Sequence, residues 1–542
     1  MGQAMFSIDQ NSHSLWDVVP KLQALAAAGQ RPRHFVEDID VAFTSLGSKV
    51  DHPTLALARE RFHRSGGADW GAALFYSEFL GRLPVEIRHW EPFTGLKTNV
   101  LARQVGKTID ELYDEFSPGD NWQLIGSSYV GDREHHRLIA DLSVAETAGF
   151  LREVLAKARA DTLARFPEKV PQYRAGEWFD CEHRRLEDLI AQHAGGKLVE
   201  LYASWLGQYV GGAVELSATS SLVAPREGSA GMELLTLWCR HYEQSAALYN
   251  QALSETASDL NPMKAEQGEL PFFATTRYRD HWVRLGMGLR DGAIQIGQQS
   301  FPLGPDGSAP AAALREAGIT GVAGKAIMLV IQVRMGPGGA PLALPYRGSF
   351  YMPSAYRFAA LLREAGLLTA PLAPVLRVRL RLLERLRTLE TIIHLPDHLA
   401  GYFGTHEIPA RRLGEEYPAL AKAAAARLGQ FRTEQGRAHW LRDGLPERFA
   451  ALQRLDAQRR KLADENPKAP EIRPLWTQVK ALNSDLTSHL LRQIARDWQM
   501  RDIDYWDSRG AILPWAVALG GMPFYEDLIA RAEIYPDPED AP

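Results

Sequence analysis

Residues 269–296 contain Glu269-Leu270-Pro271-Phe272-Phe273, then Val283-Arg284-Leu285-Gly286-Met287, Arg290-Asp291-Gly292 and Ala293-Ile294-Gln295-Ile296. Through 283–287 the apolar residues recur at every second position, the period of a half-buried strand. Asp-Gly between two alternating runs is a strong hairpin signal, because both residues tolerate positive φ. Beyond a Gly/Pro-rich loop, Ala326-Ile327-Met328-Leu329-Val330-Ile331-Gln332-Val333 is almost unbroken in its apolar character. Such a run suits a strand buried on both faces and is expected to be the sheet centre. After Gly336-Pro337-Gly338-Gly339 the chain resumes as Leu342-Ala343-Leu344-Pro345-Tyr346-Arg347-Gly348-Ser349. The expected class is mixed α/β, predominantly α-helical, with a central sheet near 270–350.

Working outward, helical spacing dominates. Residues 14–115 look helical, as in Leu15, Trp16, Val18, Val19, Leu22 and Leu25. Ser143-Val144-Ala145-Glu146 is a capping box, so a helix is expected from Val144 through Lys157. Downstream, a helix from Pro353 to Ala365 should stop at Gly366. Leu376-Arg377-Val378-Arg379-Leu380-Arg381 alternates like an edge strand with its arginines outward, and residues 445–463 and 474–498 read as an antiparallel helical hairpin. The expected organisation is a helical N-terminal region (1–115), an α/β core (116–370) and a helical C-terminal region (371–542) whose hairpin spans 445–498.

Composition narrows the function classes. With 542 residues, 45% hydrophobic and 23% charged, the chain has material for several substantial cores. A net charge of -5 argues against a general nucleic-acid binder, which needs a basic face to neutralise phosphates. Only Cys181 and Cys239 occur, so neither a disulfide framework nor a cysteine-based metal centre is expected, and the usage suits the cytoplasm. The start lacks the pattern of a signal peptide and no run of about 18 apolar residues occurs, so no membrane segment is expected.

Several constellations can carry chemistry. Glu134-His135-His136, near Asp132 and Asp141, offers general acid–base catalysis or metal ligation; the plain alternative is a polar loop that pairs locally. His394, Asp397, His398, His406 and Glu407 form a second cluster, where Pro396 interrupts a helical histidine pair. Cys181-Glu182-His183 places three reactive groups in succession, but helical neighbours point about 100° apart. Gly321-Val322-Ala323-Gly324-Lys325 is half a phosphate loop without the metal-binding Ser/Thr, and is expected to be a turn. Arg347 and Ser349 sit between a strand and a helix start, where a substrate carboxylate or phosphate can be held. Asp504 and Asp507 at i and i+3 share a helical face and can hold a cation or a substrate amine.

The order of an α/β portion followed by a long helical hairpin is similar to that of ligases related to aminoacyl-tRNA synthetases, without their adenylate-binding histidine motifs. The expectation is therefore a cytoplasmic enzyme acting on a small polar or anionic metabolite, with ligase or transferase chemistry favoured. Arg347, Ser349, Asp504 and Asp507 would bind substrate and Glu134, His135 or His136 would move the proton. No residue is assigned to a metal; ATP with magnesium, or a divalent ion, is the cofactor such chemistry admits. The alternatives are a metal-dependent enzyme built on the histidines near 134 and 394, and a scaffold whose hairpin 445–498 binds a protein partner or a second copy.

Overall fold

The computed structural model describes residues 4–8, 15–40, 75–76, 79–83, 87–116, 123–124, 136–258, 260–325, 327–347 and 351–540. Its class is mixed α/β and predominantly helical, 59% helix and 15% strand. Strands β1 (Ala4–Ile8) and β2 (Arg31–Val36) come first, then the two-residue strands β3 (Phe75–Tyr76), β4 (Gln123–Leu124) and β5 (His136–Arg137), then β6 (Glu215–Ala218). Strands β7 (Glu269–Tyr278), β8 (His281–Arg290), β9 (Ala293–Ile296), β10 (Gln299–Pro302) and β11 (Gly321–Gly324) follow closely. The remainder are β12 (Leu342–Pro345), β13 (Val375–Arg379), β14 (Ile392–His394), β15 (Glu407–Pro409) and β16 (Glu533–Pro536).

Two sheets organise the molecule. The first has the order β16-β13-β12-β1-β2-β6, with every neighbouring pair parallel except β13 and β16. Counted by succession within this sheet, the order is 3-2-1-4-5-6, that of a doubly wound fold whose last strand is reversed. Its alternating side chains enter two cores. Met5, Val36, Ala343 and Val378 join one that includes Trp16, Leu206 and Trp515, whereas Ile8, Phe35, Leu342, Leu344 and Val375 join one that includes Trp238, Phe272 and Phe358. Both faces are thus covered, as a parallel sheet requires.

The second sheet is antiparallel; five of its strands, in the order β10-β9-β8-β7-β11, lie within residues 269–324, and the short β5 pairs with β8 off that path. Asp291 and Gly292 both have positive φ (50° and 69°) between the paired Arg290 and Ala293, as the Asp-Gly signal requires. The run 326–333 departs from expectation: Ile327–Gln332 is a helix with all six residues buried. A continuous apolar run has no period to separate a buried helix from a buried strand. The edge of β11 is closed by a side chain instead, since Gln332 accepts from Gly324 N and donates to Val322 O, each at 2.8 Å. Residues 321–324, expected as a turn, are accordingly an edge strand.

The helix Met352–Glu364 connects β12 to β13 and ends before Gly366, which has φ 71°. The helix Val144–Ala164 starts where the capping box places it and outruns Lys157. Pro446–Glu465 and Ile472–Arg501 form the helical hairpin, tied by Arg448 to Asp485 at 2.7 Å. Strand β2 corrects the all-helical reading of 14–115, and β13 lies inside the sheet, between β12 and β16, not at its edge.

Strand β16 and the residues after it lock the sheet. Arg334, only 2% exposed in its side chain, donates to both oxygens of Asp540 at 2.7 and 2.6 Å, and Val375 N donates to Asp540 at 2.8 Å. Arg377 and Tyr356 both donate to Asp537 at 2.6 Å. Removing one partner of a buried pair strands the other charge. Asp540→Ala is expected to destabilise the fold by about 3 kcal/mol, read as a lower Tm; an unchanged Tm would show that the tail is not a clamp.

Candidate functional site

In an open parallel sheet the strands' carboxyl ends form the ligand-binding edge. There β12 delivers Tyr346 and Arg347, and β13 delivers Arg379. The hairpin's second helix ends at Arg501 and passes into a 3-10 turn, Ile503–Asp507. With three residues per turn, positions i and i+3 eclipse, so Asp504 and Asp507 stand on one side.

Each aspartate takes one arginine. Arg347 donates to Asp504 from Nε and Nη2, both at 3.1 Å, and the Tyr346 hydroxyl donates to the same carboxylate at 3.1 Å. Arg379 Nη2 lies 3.0 Å from Asp507 Oδ2, while Leu383 N donates to Oδ1 at 2.8 Å. The Tyr346 ring lies 4.3 Å from the Arg379 guanidinium and 5.5 Å from that of Arg347, within cation–π range of both. Arg347 is pinned by its backbone as well, its N donating to Ser508 Oγ at 3.3 Å and its O accepting from Arg509 Nε at 3.1 Å.

Beside this network is a cavity of about 400 Å³ lined by Arg379, Glu384, Arg387, Tyr417, Arg501 and Asp504, among others. Arg387 Nε donates to Gly414 O at 3.0 Å, and the side chain is exposed. Arg501 lies over the Trp498 ring at 4.0 Å. Burial, then Asp507 and Glu384, hold the Tyr417 hydroxyl above the ordinary phenol range. Guanidinium groups suit a carboxylate or phosphate, and Glu384 and Asp504 suit an amine.

The structure brings Arg347, Asp504 and Asp507 together. Asp507, with no exposed surface, is shielded from any ligand and acts by holding Arg379. Glu134, His135 and Ser349 lie outside the described residues, and His136 lies in β5, paired with Arg284 of β8. His394 and His406 stack at 5.6 Å, with Glu407 and Asp397 at 3.9 and 3.8 Å respectively; His398 is a separate, half-buried group that desolvation, with Arg82 and Arg165, lowers to about 3. Glu182 is fully buried under Trp205 Nε1 at 2.6 Å and the Tyr209 hydroxyl at 2.5 Å, whereas Cys181 is exposed, so their succession is not a site. Among the described residues no three His, Cys, Asp or Glu side chains are grouped to hold a metal ion. Arg379, Glu384, Arg387 and Tyr417 escape sequence reading. For Arg379 the alternation at 376–381 is a signal, but alternation alone suggests outward arginines, whereas its side chain is 18% exposed; Glu384, Arg387 and Tyr417 carry no comparable signal.

No protein-family model matches this chain, and neither a curated protein nor a solved structure is significantly similar to it.

Burial pushes the Asp507 carboxyl up to about 6, exceeding the lowering by the Leu383 amide and Arg379. The folded state then holds this proton more tightly than the unfolded chain, so ionisation erodes stability as pH climbs from about 4 to 6, by roughly 2–3 kcal/mol. Asp507→Asn, neutral throughout, is expected to flatten that part of the Tm–pH profile. Equal slopes in the two proteins would contradict a raised carboxyl.

Proposed function

We propose that this chain is an enzyme that binds a small polar metabolite, bearing an anionic group, at the carboxyl ends of β12 and β13. The observation that carries the reading is the convergence of three guanidinium groups, two carboxylates and a phenol on one cavity at the ligand-binding edge of a doubly wound sheet. The cavity's mixed charge favours a ligand with both an anionic and an amine group. Arg379 and Arg387 take the anion, and Glu384 and Asp504 take the amine. Ligase or transferase chemistry is favoured, because the sheet order is one used for nucleotides and the hairpin follows it as in synthetase-related ligases; this support is analogy of fold. ATP with magnesium is the activating cosubstrate in this reading. No glycine occurs between Ile8 and Leu15, so the dinucleotide fingerprint after β1 is absent.

Two free thiols support a cytoplasmic setting, and no helix among the described residues is long and apolar enough to cross a membrane. A second reading has one observation in its favour. Helices Glu434–Gly444 and Pro446–Glu465 contain no buried residue, leaving the hairpin arm open to a protein partner or a second copy.

Calorimetry and thermal shift of the full chain against inorganic phosphate, ATP with magnesium, dicarboxylates and amino acids test the first reading. At least one is expected to bind. Arg387→Ala should weaken it at least about tenfold, the loss of one charged hydrogen bond, with the ligand-free Tm lowered only slightly by loss of the bond to Gly414 O. Absence of binding across the panel, or equal affinity in the variant, would remove the anion site.

A further inference from the structure

A second polar cluster occupies the same edge of the sheet, beyond β1. Asp38 and Asp40 follow β2, two strand spacings or about 10 Å from β12. Asp38 accepts from Ser220 N at 2.8 Å and Asp40 from Arg284 Nη1 at 3.0 Å. The short turn Ile139–Asp141 is docked on them: Ile139 N donates to Asp40 O and Ala140 N to Asp38 O, each at 3.0 Å. That docking, with Leu138 N donating to Trp282 O at 3.0 Å, places Asp141 against the tip of the β7–β8 hairpin.

At that tip His281 is the cross-strand partner of Tyr278, joined through Arg279 and Asp280. Arg279 has φ 54°, an uncommon backbone for a long side chain, and lies over the Tyr278 ring at 5.3 Å. His281 Nδ1 is 2.7 Å from Asp141 Oδ2. The Asp141 side chain is 5% exposed, with Lys197 Nζ at 3.7 Å from its other oxygen; the His281 side chain is 57% exposed. A carboxylate only accepts, so Nδ1 carries a proton, and in the neutral ring the lone pair is left on Nε2. A base, an orienting carboxylate behind it and an open approach are the parts of a proton-transfer dyad.

We propose that His281 is a proton-transfer group and Asp141 its positioning residue, serving a hydroxyl or amine of a substrate lodged across the strand ends. This deepens the reading of the sheet edge as an active site and rests on it. The anion is gripped on the β12 and β13 side, and the proton is removed on the β2 side. His281 does what the sequence assigned to His135 or His136, and the β5 strand carrying His136 pairs with β8 only a few residues from it.

The test needs no ligand at the arginine cavity, so failure of either reading leaves the other open to judgement. The full chain is treated with p-nitrophenyl acetate. Attack by the Nε2 lone pair on the acetyl carbonyl breaks the bond to p-nitrophenolate, and water then hydrolyses the acetylimidazole to acetate. Peptide mass spectrometry locates the acetyl group during the reaction. His439, with a 60% exposed side chain and Asp443 at 3.4 Å from its Nε2, is the internal comparison. Acetylation at His281 is expected to run at least about tenfold faster than at His439. Asp141→Asn, which keeps an acceptor but no charge, should bring it near the His439 rate, and His281→Gln should remove that share of p-nitrophenolate release. Equal rates at the two histidines, or an Asp141→Asn protein as fast as the parent, would overturn the proposal.

Discussion

Strands β1 and β12 lie side by side, with Phe6 level with Leu342, although more than three hundred residues separate them. Parallel partners cannot be joined by a tight turn, and both of their faces have to be covered. The long excursions between strands meet that need: the segment before β6 supplies helices to one core, and the segment after it supplies the antiparallel sheet to the other. Because five strands point the same way, their carboxyl ends share one edge, and side chains from distant parts of the chain meet there.

Electrostatics then sets what that edge can do. Arg347 and Arg379 do not float; each is held by an aspartate of a single five-residue turn and both lie within cation–π range of Tyr346. Pairs of this kind add little net stability once desolvation is counted, but removing one partner is costly, so their effect is to fix geometry. A guanidinium held on one side by its aspartate is fixed in orientation, with its remaining donors left for other acceptors. The turn 139–141 gives Asp141 and His281 a similar relation beyond β1, with the backbone of Asp38 and Asp40 as the anchor.

Local signals were legible where one residue's conformational preference decides the outcome. Asp291-Gly292 made its hairpin because both residues accept positive φ, and Gly366 ended its helix for the same reason. The helical hairpin followed from leucine spacing and the intervening Asn-Pro. The run 326–333 was misread because its apolar residues carry no period, and the deciding contact is Gln332 with the edge of β11. Within the candidate site, Arg347 and the Asp504–Asp507 pair were legible one motif at a time, from a strand-to-helix junction and an i, i+3 spacing. Arg379 was not, since alternation reveals which residues share a face but not whether water or another strand lies beyond it.

The sequence by itself determined the class, a mostly helical α/β chain, and the positions of its strongest turns and caps, because these depend on side chains a few residues apart. Only the tertiary structure decided that β1, β2, β6, β12 and β13 form one parallel sheet, that Arg379 reaches Asp507, and that Asp141 orients His281. Those pairings join residues up to hundreds of positions apart and are selected by the simultaneous burial of two sheet faces, a condition that no single window of the chain contains.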